Sequence, residues 1–217
     1  MRLMAVMAHP DDAEIWCGGT LIRHAENGDE VRICTLSYTE DSERGQEAQK
    51  SAKLIDCEVG CLGLEDTRVR DSDQAVELVK KSIESFRPEL IITHWFDDTH
   101  PDHEAVFLIL RRALVSGFLD KSIDSLNSVP QVFCCDTYSS MGLRGPFQPN
   151  ERVDVTQVWE RKLTAIHAHE SQPLEFYLNM IERQCRAHGK AANTKFAEAF
   201  IRIPLYSWPD ERIRLGS

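Results

Sequence analysis

The sequence predicts an α/β fold in which helices cover both faces of a mostly parallel sheet. Apolar strand-like segments alternate with helical segments from residue 1 to about residue 136, which is the pattern of strand–helix–strand units. The first segment is apolar almost without interruption, as a strand buried on both faces is. With 217 residues, 42% of them hydrophobic and 28% charged, the chain has the size and composition of one folded domain.

The first two strands carry the clearest signals. Residues 2–8 form the unbroken apolar run, and residues 30–37 alternate in polarity and are rich in β-branched side chains. A helix is expected over 14–27, because Asn27 and Gly28 form a typical helix stop. The further elements expected up to residue 136 are helix 44–56, strand 59–62, helix 73–86, strand 90–94, helix 102–118 and strand 131–135.

Beyond residue 136 the pattern changes. Residues 139–150 contain several glycines and prolines and are expected to form a loop, whereas 156–168 and 173–187 are helical and 196–203 is an apolar strand. No change in composition marks a linker. We therefore predict one Rossmann-like, doubly wound domain over 1–217, with a core at about 1–136 and a C-terminal α/β elaboration at about 137–217.

Composition narrows the classes of partner. Lys and Arg number 25 and Asp and Glu 35, a net charge of −10, which argues against nonspecific nucleic-acid binding. The seven cysteines are scattered without a C-x-x-C pair, as in reduced cytosolic proteins. No run approaches the roughly 18 apolar residues of a membrane span, and the start has no signal-peptide cleavage pattern. We expect a cytoplasmic protein without nucleic-acid or membrane partners.

The most unusual residues follow the first and fourth predicted strands. In the common strand order 3-2-1-4-5 these two strands are neighbours, and their C-terminal loops flank the ligand crevice. The loops read HPDDAE at 9–14 and DDTHPDH at 97–103. Each Asp or His alone is an ordinary helix cap, but together they offer the two imidazoles and one carboxylate of a catalytic zinc site. Iron, cobalt or manganese would suit the same ligands.

Other uses of the crevice find less support. A dinucleotide site needs G-x-G-x-x-G directly after the first strand, whereas Gly18 and Gly19 lie well inside the predicted helix. They are expected to let this helix approach a neighbouring element closely. A serine-hydrolase elbow, G-x-S-x-G, is absent from the sequence. Cys17 lies in an apolar helix and is expected in the core. His94, at the end of the fourth strand, is open to either a crevice or a packing role.

Several motifs together resemble those of a known family. Residues 8–14 (AHPDDAE), followed by two glycines, resemble A-H-P-D-D-x-E-x-x-x-G-G, and residues 100–103 read HPDH. Residues 162–172 (KLTAIHAHESQ) resemble K-x-x-A-x-x-x-H-x-S-Q, and residues 44–47 (RGQE) resemble R-x-x-E. Over most of its length the chain thus resembles the LmbE-like (PIG-L) family of zinc-dependent N-acetylglucosaminyl deacetylases.

The resemblance implies a role for each matching residue. The implied ligands of a single Zn²⁺ are His9, Asp12 and His103. Asp11 would be the general base, His100 the acid or oxyanion stabiliser, and Asp102 would orient His100. The implied substrate-binding residues are Arg44, Glu40, His169 and Gln172. The segment from Glu40 to Arg44 is shorter than the loop usual in the family, which predicts a more open site.

The function implied is removal of an N-acetyl group from an N-acetylglucosamine-containing sugar or glycoside, with a small-molecule substrate as partner. An amidase acting on a thiol–sugar conjugate or another acylated metabolite stays open within the family. A non-catalytic Rossmann-like binding module is the alternative from another class. The family includes oligomers, so the resemblance also leaves a homo-oligomer open.

Overall fold

The structure is a computed structural model that describes residues 1–123, 130–205 and 215–216. Its strands form one seven-stranded sheet in the order β3-β2-β1-β4-β5-β7-β6. The strands are β1 (Arg2–Met7), β2 (Glu30–Ser37), β3 (Glu58–Leu64), β4 (Leu90–Thr93), β5 (Gln131–Cys135), β6 (Glu151–Asp154) and β7 (Ala197–Ile203). The helices are α1 (Asp12–Glu26), α2 (Glu43–Ile55), α3 (Asp73–Phe86), α4 (Pro101–Leu119), α5 (Trp159–His167) and α6 (Leu174–Ala192).

The first five strands are parallel, and β1 lies between β2 and β4. This confirms the α/β, doubly wound prediction and the expected order 3-2-1-4-5. The alternation of apolar and helical segments was a sufficient signal because every parallel connection here crosses over through a helix. Consequently the loops that follow β1 and β4 lie side by side at one edge of the sheet.

Two apolar layers hold the helices to the sheet. On one face, side chains of α1, α5 and α6 pack against the strands, with Leu21, Ile166 and Ile181 among them. On the other face α3 and α4 do so, for example through Ile83 and Leu110. Strand β1 is buried from Leu3 to Met7, and α3 buries one face against the sheet, as the apolar patterns of the two segments predict.

The end of the sheet departs from the parallel pattern. Strand β7 runs antiparallel to β5, and β6 runs antiparallel to β7. Strand β6 was not predicted, because only Val153 of its four residues is buried and so short a segment shows no alternation. The segment expected as helix 156–168 divides into a short 3₁₀ turn, Thr156–Val158, and α5.

A buried ion pair joins α1 to this C-terminal part. Lys162 Nζ lies 2.6 Å from Glu198 Oε1 and donates to the Ile15 carbonyl at 2.9 Å. Glu198 accepts the backbone N–H groups of Gly19 and Thr20 at 2.8 and 2.7 Å. In a regular helix the Gly19 N–H donates to the Ile15 C=O. The ion pair therefore hydrogen-bonds to the two backbone groups of one turn of α1, Lys162 to the carbonyl and Glu198 to the N–H.

Gly19 makes this approach sterically feasible. A Cβ at this position would lie 2.6 Å from Val155 Cγ1, whereas one at Gly18 would have its nearest contact at 3.6 Å. The expectation that a glycine permits close approach is therefore confirmed for Gly19. Cys17 is buried in the same helix, as expected of a core thiol. Over the described ranges, no helix combines the length and apolarity that a bilayer span requires.

Candidate functional site

The two polar loops meet where α1 and α4 begin. In the second loop the HPDH sequence forms the start of α4: His100 is the N-cap, and its Nδ1 accepts the backbone N–H of Asp102 at 3.2 Å. Pro101 follows at the first helical position, where its fixed φ and missing N–H are tolerated. His103 therefore falls in the first turn, with its side chain buried beside the loop that follows β1.

The first loop is held by its own carboxylate. Asp12 Oδ2 accepts the backbone N–H of His9 at 2.8 Å. Asp11, between them, has φ of 113°, a region that costs a non-glycine residue on the order of 1–3 kcal/mol. With this backbone conformation the two neighbouring carboxylates point to different partners. Asp11 contacts Arg44 of α2, whereas Asp12 faces imidazoles of both loops.

Asp12 lies at the centre of three imidazoles. Its carboxylate is 3.1 Å from His9 Nδ1, 3.3 Å from His94 Nε2 and 3.4 Å from His103 Nε2. Burial favours the neutral acid, but the three histidines outweigh burial and hold the pKa of Asp12 well below its usual range. The cluster thus contains a carboxylate that stays ionised in a nearly water-free setting.

Asp98 orients His103 from behind. Its Oδ2 lies 3.0 Å from His103 Nδ1 and also accepts the Thr137 hydroxyl at 2.7 Å, while Oδ1 accepts the His100 backbone N–H at 2.8 Å. With Nδ1 engaged, His103 presents Nε2 to the cluster. Burial lowers the pKa of His103, but Asp12 and Asp98 raise it to about 10. The negative charges of Asp12 and Asp98, which favour a proton on this ring, equally favour a metal cation beside it.

His94 packs under the same ring. The two imidazoles are stacked with centroids 3.7 Å apart, and His94 Nε2 accepts the Ala8 backbone N–H at 2.9 Å. Burial, followed by the neighbouring His103, lowers the pKa of His94 to about 4. Of the two roles left open by the sequence, the structure gives His94 the packing one, although it also contacts Asp12.

The side chains present fit a divalent metal ion. His9, Asp12 and His103 each offer one ligand atom, and these atoms lie within 4.8 Å of one another. Among the described residues, His9 Nε2 and His103 Nε2 are buried without a well-formed hydrogen bond, and the nearest carboxylate oxygens, of Asp66 and Asp12, lie 3.1 and 3.4 Å from them, a setting that suits a bound cation. Two overlapping triads meet the same distance limit: His9, His100 and Asp102, and His94, Asp98 and His103. The members of the second are already committed to hydrogen bonds with one another and with Ala8.

Asp11 and Arg44 form the second feature of the site. Arg44 Nη2 donates to Asp11 Oδ1 at 2.7 Å and to the Pro10 carbonyl at 2.6 Å, and the guanidinium lies over the Tyr38 ring. Burial, then the charge of Asp12, raises the pKa of Asp11 to about 7, while Arg44 opposes the rise. In the structure Arg44 thus contacts the strained Asp11 loop, and the substrate-binding role that the resemblance implies for it stays a prediction.

His100 and Asp102 differ from their expected arrangement. The contact to His100 comes from the Asp102 backbone N–H, whereas the Asp102 carboxylate lies 3.4 Å from both His9 Nε2 and Arg70 Nη1. The helix backbone thus contacts the His100 ring directly; a role for the Asp102 carboxylate in orienting that ring stays a prediction. Because Nδ1 accepts, the neutral His100 ring carries its proton on Nε2. Burial, then the neighbouring imidazoles, lowers its pKa, which favours that neutral form.

The third motif lies behind Asp11. His169 is buried with Nε2 3.3 Å from Glu14 Oε1. Burial lowers the pKa of His169, but Glu14 and the more distant Asp11 outweigh burial and raise it. Glu47, of the RGQE segment, accepts both the backbone N–H and the hydroxyl of Ser171 at 2.7 Å. Gln172 is half-buried and donates to the Ser171 hydroxyl, so this motif ties α2 to the start of α6.

Glu40 is not brought to this cluster. It is exposed and lines a separate cavity of about 500 Å³ with Arg32 and Cys61 at the β2–β3 side of the sheet. The short segment from Glu40 to Arg44 turns tightly, since a Cβ at Gly45 would meet the Thr39 carbonyl at 2.1 Å. The loop thus directs Arg44 toward Asp11 and leaves Glu40 outside.

Two tyrosines that the sequence did not single out border the site. The Tyr138 ring is stacked near His103 with centroids 5.9 Å apart, and Trp16 packs against it edge-on at 5.2 Å. Tyr177 hydrogen-bonds to Tyr138, and burial together with Asp11 and Asp12 raises its pKa to about 12. No motif marks either residue, because Tyr138 comes from the loop after β5 and Tyr177 from α6. Trp95 instead packs on Phe147 in the core.

Comparisons with known proteins agree with these motifs. The family model described as PIG-L, GlcNAc-PI de-N-acetylase, matches residues 4–114. Diacetylchitobiose deacetylase of Thermococcus kodakarensis is 26% identical over 227 residues, spanning 94% of this chain and 83% of the relative. The resemblance inferred from the four motifs is thereby confirmed.

Solved structures with the same fold include two kinds of enzyme. The N,N'-diacetylchitobiose deacetylase of Pyrococcus horikoshii superposes with a TM-score of 0.78 at 22% identity, covering 94% of this chain and 84% of the other. GalB, a 4-carboxy-2-hydroxymuconate hydratase of Pseudomonas putida, superposes with a TM-score of 0.80 at 19% identity, covering 96% and 97%. At these identities the superpositions establish the fold.

Proposed function

Because the chain belongs to the PIG-L family of GlcNAc-PI de-N-acetylases, we propose that it is a metal-dependent hydrolase. It removes the acetyl group from an N-acetylglucosamine-containing sugar or glycoside. The observation that carries the proposal is the buried set His9, Asp12 and His103 directly beside the strained Asp11. These ligands suit Zn²⁺, which we take as the metal.

Each residue of the cluster has a role in amide hydrolysis. His9, Asp12 and His103 would hold the divalent ion, which when bound would make the attacking water more acidic and polarise the acetamide carbonyl. Asp11 accepts the proton of that water on its carboxylate and delivers it to the leaving amine nitrogen. Such proton transfer is worth roughly 10²–10⁴-fold in rate. Arg44 fixes the Asp11 carboxylate through its 2.7 Å contact.

His100 supports the oxyanion side. Its Nδ1 is taken by the Asp102 backbone N–H, so Nε2–H is available to donate to the developing oxyanion. A preorganised donor of this kind is typically worth on the order of 10²–10³ in turnover. His169 and Gln172 act on substrate indirectly. His169 contacts Glu14 behind Asp11, and Gln172 donates to the Ser171 hydroxyl, which Glu47 in turn accepts at the start of α6.

The substrate class rests on the relatives. The Thermococcus protein is named for a disaccharide of N-acetylglucosamine, and a glycoside of that sugar is the corresponding substrate here. The rim of the site supports this, since the half-buried Tyr138 and Tyr177 offer the apolar and hydroxyl surface that an amphipathic sugar ring contacts. The thiol–sugar conjugate, the alternative substrate left open by the sequence, is included in the test below.

The experiment is acetate release. Purified protein loaded with Zn²⁺ is offered N-acetylglucosamine, N,N'-diacetylchitobiose, the inositol and malate glycosides of N-acetylglucosamine, and an acylated thiol–sugar conjugate. We expect acetate from at least one N-acetylglucosamine compound and none after metal removal. Release only from the thiol–sugar conjugate contradicts the substrate class. Hydration of an unsaturated dicarboxylate in the same preparation, without acetate release, contradicts the reaction.

A further inference from the structure

Asp66 contacts the metal-binding cluster although none of the four motifs contains it. It lies in the segment between β3 and α3, and its Oδ1 is 3.1 Å from His9 Nε2. Strands β1 to β5 are parallel, so the loops that follow them open at one edge of the sheet. The structure thus brings a third loop to the site, and this loop supplies a carboxylate.

The two ring nitrogens of His9 face different groups. Nδ1 lies 3.1 Å from Asp12 Oδ2, and His103 Nε2 lies 3.4 Å from the other oxygen of the same carboxylate. Two ligand atoms on one tetrahedral Zn²⁺, with bonds of about 2.0–2.1 Å, are roughly 3.3 Å apart. Nδ1 is therefore placed to share an ion with Asp12 and His103, whereas Nε2 lies against Asp66 and Asp102.

This arrangement determines where His9 carries its proton. A neutral imidazole has one N–H, so a ring that binds an ion through Nδ1 keeps its proton on Nε2. His9 is only 6% exposed, and a buried N–H needs an acceptor. Metal-binding histidines typically donate their second ring N–H to a carboxylate or a carbonyl, which fixes the tautomer and the orientation of the ring.

The fold holds Asp66 in position to be that acceptor. The Tyr38 hydroxyl donates to Asp66 Oδ2 at 2.6 Å, which leaves Oδ1 for His9. The Tyr38 backbone N–H donates to the Leu64 carbonyl at 3.0 Å, so the segments after β2 and β3 are joined. Val69 of the same loop is fully buried in the apolar layer beneath α3 and α4. The carboxylate is thus anchored from both sides.

Asp102 is the competing acceptor for the same N–H. Its Oδ2 lies 3.4 Å from His9 Nε2, farther than Asp66 Oδ1. An ion bound to His9 Nε2 together with His100 and Asp102 is the other arrangement that the distances permit. That arrangement would leave out Asp12, whose carboxylate faces three imidazoles. The contacts of Asp12 therefore favour an ion on Nδ1.

We propose that Asp66 is a positioning residue of the metal site, whose Oδ1 accepts the Nε2–H of His9 and thereby presents Nδ1 to the ion. The inference rests on the metal site of the proposed function and adds to it a residue from a third loop. Asp66 acts on metal affinity through the His9 ring and is not itself a ligand. Tyr38 supports this role through the other carboxylate oxygen.

The first test is a competition titration of zinc against a chelator. We expect Asp66→Ala to lower zinc affinity about 10- to 100-fold, Asp66→Glu to recover part of the loss, and Tyr38→Phe to cause a smaller one. The matched control is Asp71→Ala, in the same loop. Its side chain is 32% exposed against 33% for Asp66 and pairs with Arg112, so we expect unchanged affinity. Wild-type affinity in Asp66→Ala, or an equal loss in Asp71→Ala, overturns the proposal.

The second test identifies the ligand atom of His9 by ¹³C and ¹⁵N NMR of the zinc-loaded protein. We expect zinc on Nδ1 and a slowly exchanging proton on Nε2, which exchanges faster in Asp66→Ala. Zinc on Nε2 overturns the proposal.

Neither measurement uses turnover, so the inference and the proposed function fail separately. Bound zinc without acetate release contradicts the proposed reaction, and the two tests still decide the role of Asp66. A wild-type protein that binds no zinc overturns the metal site and this inference together.

Discussion

Replacing Arg44 separates its two roles, holding Asp11 or binding substrate. Arg44→Met keeps an unbranched apolar stem but removes the guanidinium, and with it the contacts of Nη2 to Asp11 Oδ1 at 2.7 Å and to the Pro10 carbonyl at 2.6 Å. A hydrogen bond involving a charged group is worth about 1.5–3 kcal/mol. If the contact positions Asp11 as the general base, its loss raises the activation free energy by this amount. Since 1.36 kcal/mol is tenfold in rate, kcat falls about 10- to 150-fold, with little change in KM.

The assay is steady-state acetate release across pH. Arg44 lowers the pKa of Asp11, and a general base works in its ionised form. Loss of the guanidinium therefore raises that pKa and moves the acid limb of the profile to higher pH. Arg44→Lys is the control, because a point charge can hold Asp11 without matching both acceptors, and it recovers part of kcat. A raised KM with unchanged kcat and an unshifted acid limb would refute the positioning role in favour of substrate binding.

Three further predictions follow from the same contacts. Lys162→Met leaves the buried Glu198 carboxylate without its cation, which lowers the free energy of unfolding by about 3–5 kcal/mol. At about 2–4 °C per kcal/mol, Tm falls by roughly 6–20 °C. A calorimetric shift under about 2 °C contradicts this prediction. Gly19→Ala places a Cβ 2.6 Å from Val155 Cγ1 and destabilises by about 1–3 kcal/mol in urea unfolding. Gly18→Ala, whose Cβ would make an ordinary van der Waals contact at 3.6 Å, does not. Asp98→Asn weakens the orientation of His103 and lowers zinc affinity about 10- to 100-fold in a competition titration; unchanged affinity would remove Asp98 from the site.

The fold and the candidate metal-binding cluster could both be predicted from the sequence, and for the same reason. The apolar composition of β1 and β4 identifies both as buried strands. In a doubly wound sheet these two strands are neighbours, so the loops that follow them are adjacent. The residues at 9–12 and 100–103 therefore meet without any information on side-chain packing. His9, Asp12 and His103 lie within ligand distance of each other, as the resemblance implied.

Residues whose role depends on a distant partner were less predictable. Asp98 was visible in its loop, but its contacts to His103 and Thr137 come from two different elements. Nothing local in the sequence indicates that Arg44 reaches Asp11. Tyr138 and Tyr177 approach each other only after β5 and α6 are placed. Strand β6 has four residues and one buried side chain, too little for a pattern.

The central claim is that Asp11 acts as the base beside a metal that His9, Asp12 and His103 hold. The most direct test measures metal content and acetate release together for the wild type and Asp11→Asn, both loaded with Zn²⁺. We predict one zinc per chain in both proteins and a kcat lower by about 10²–10⁴ in the variant. Equal zinc content with equal turnover would contradict the account.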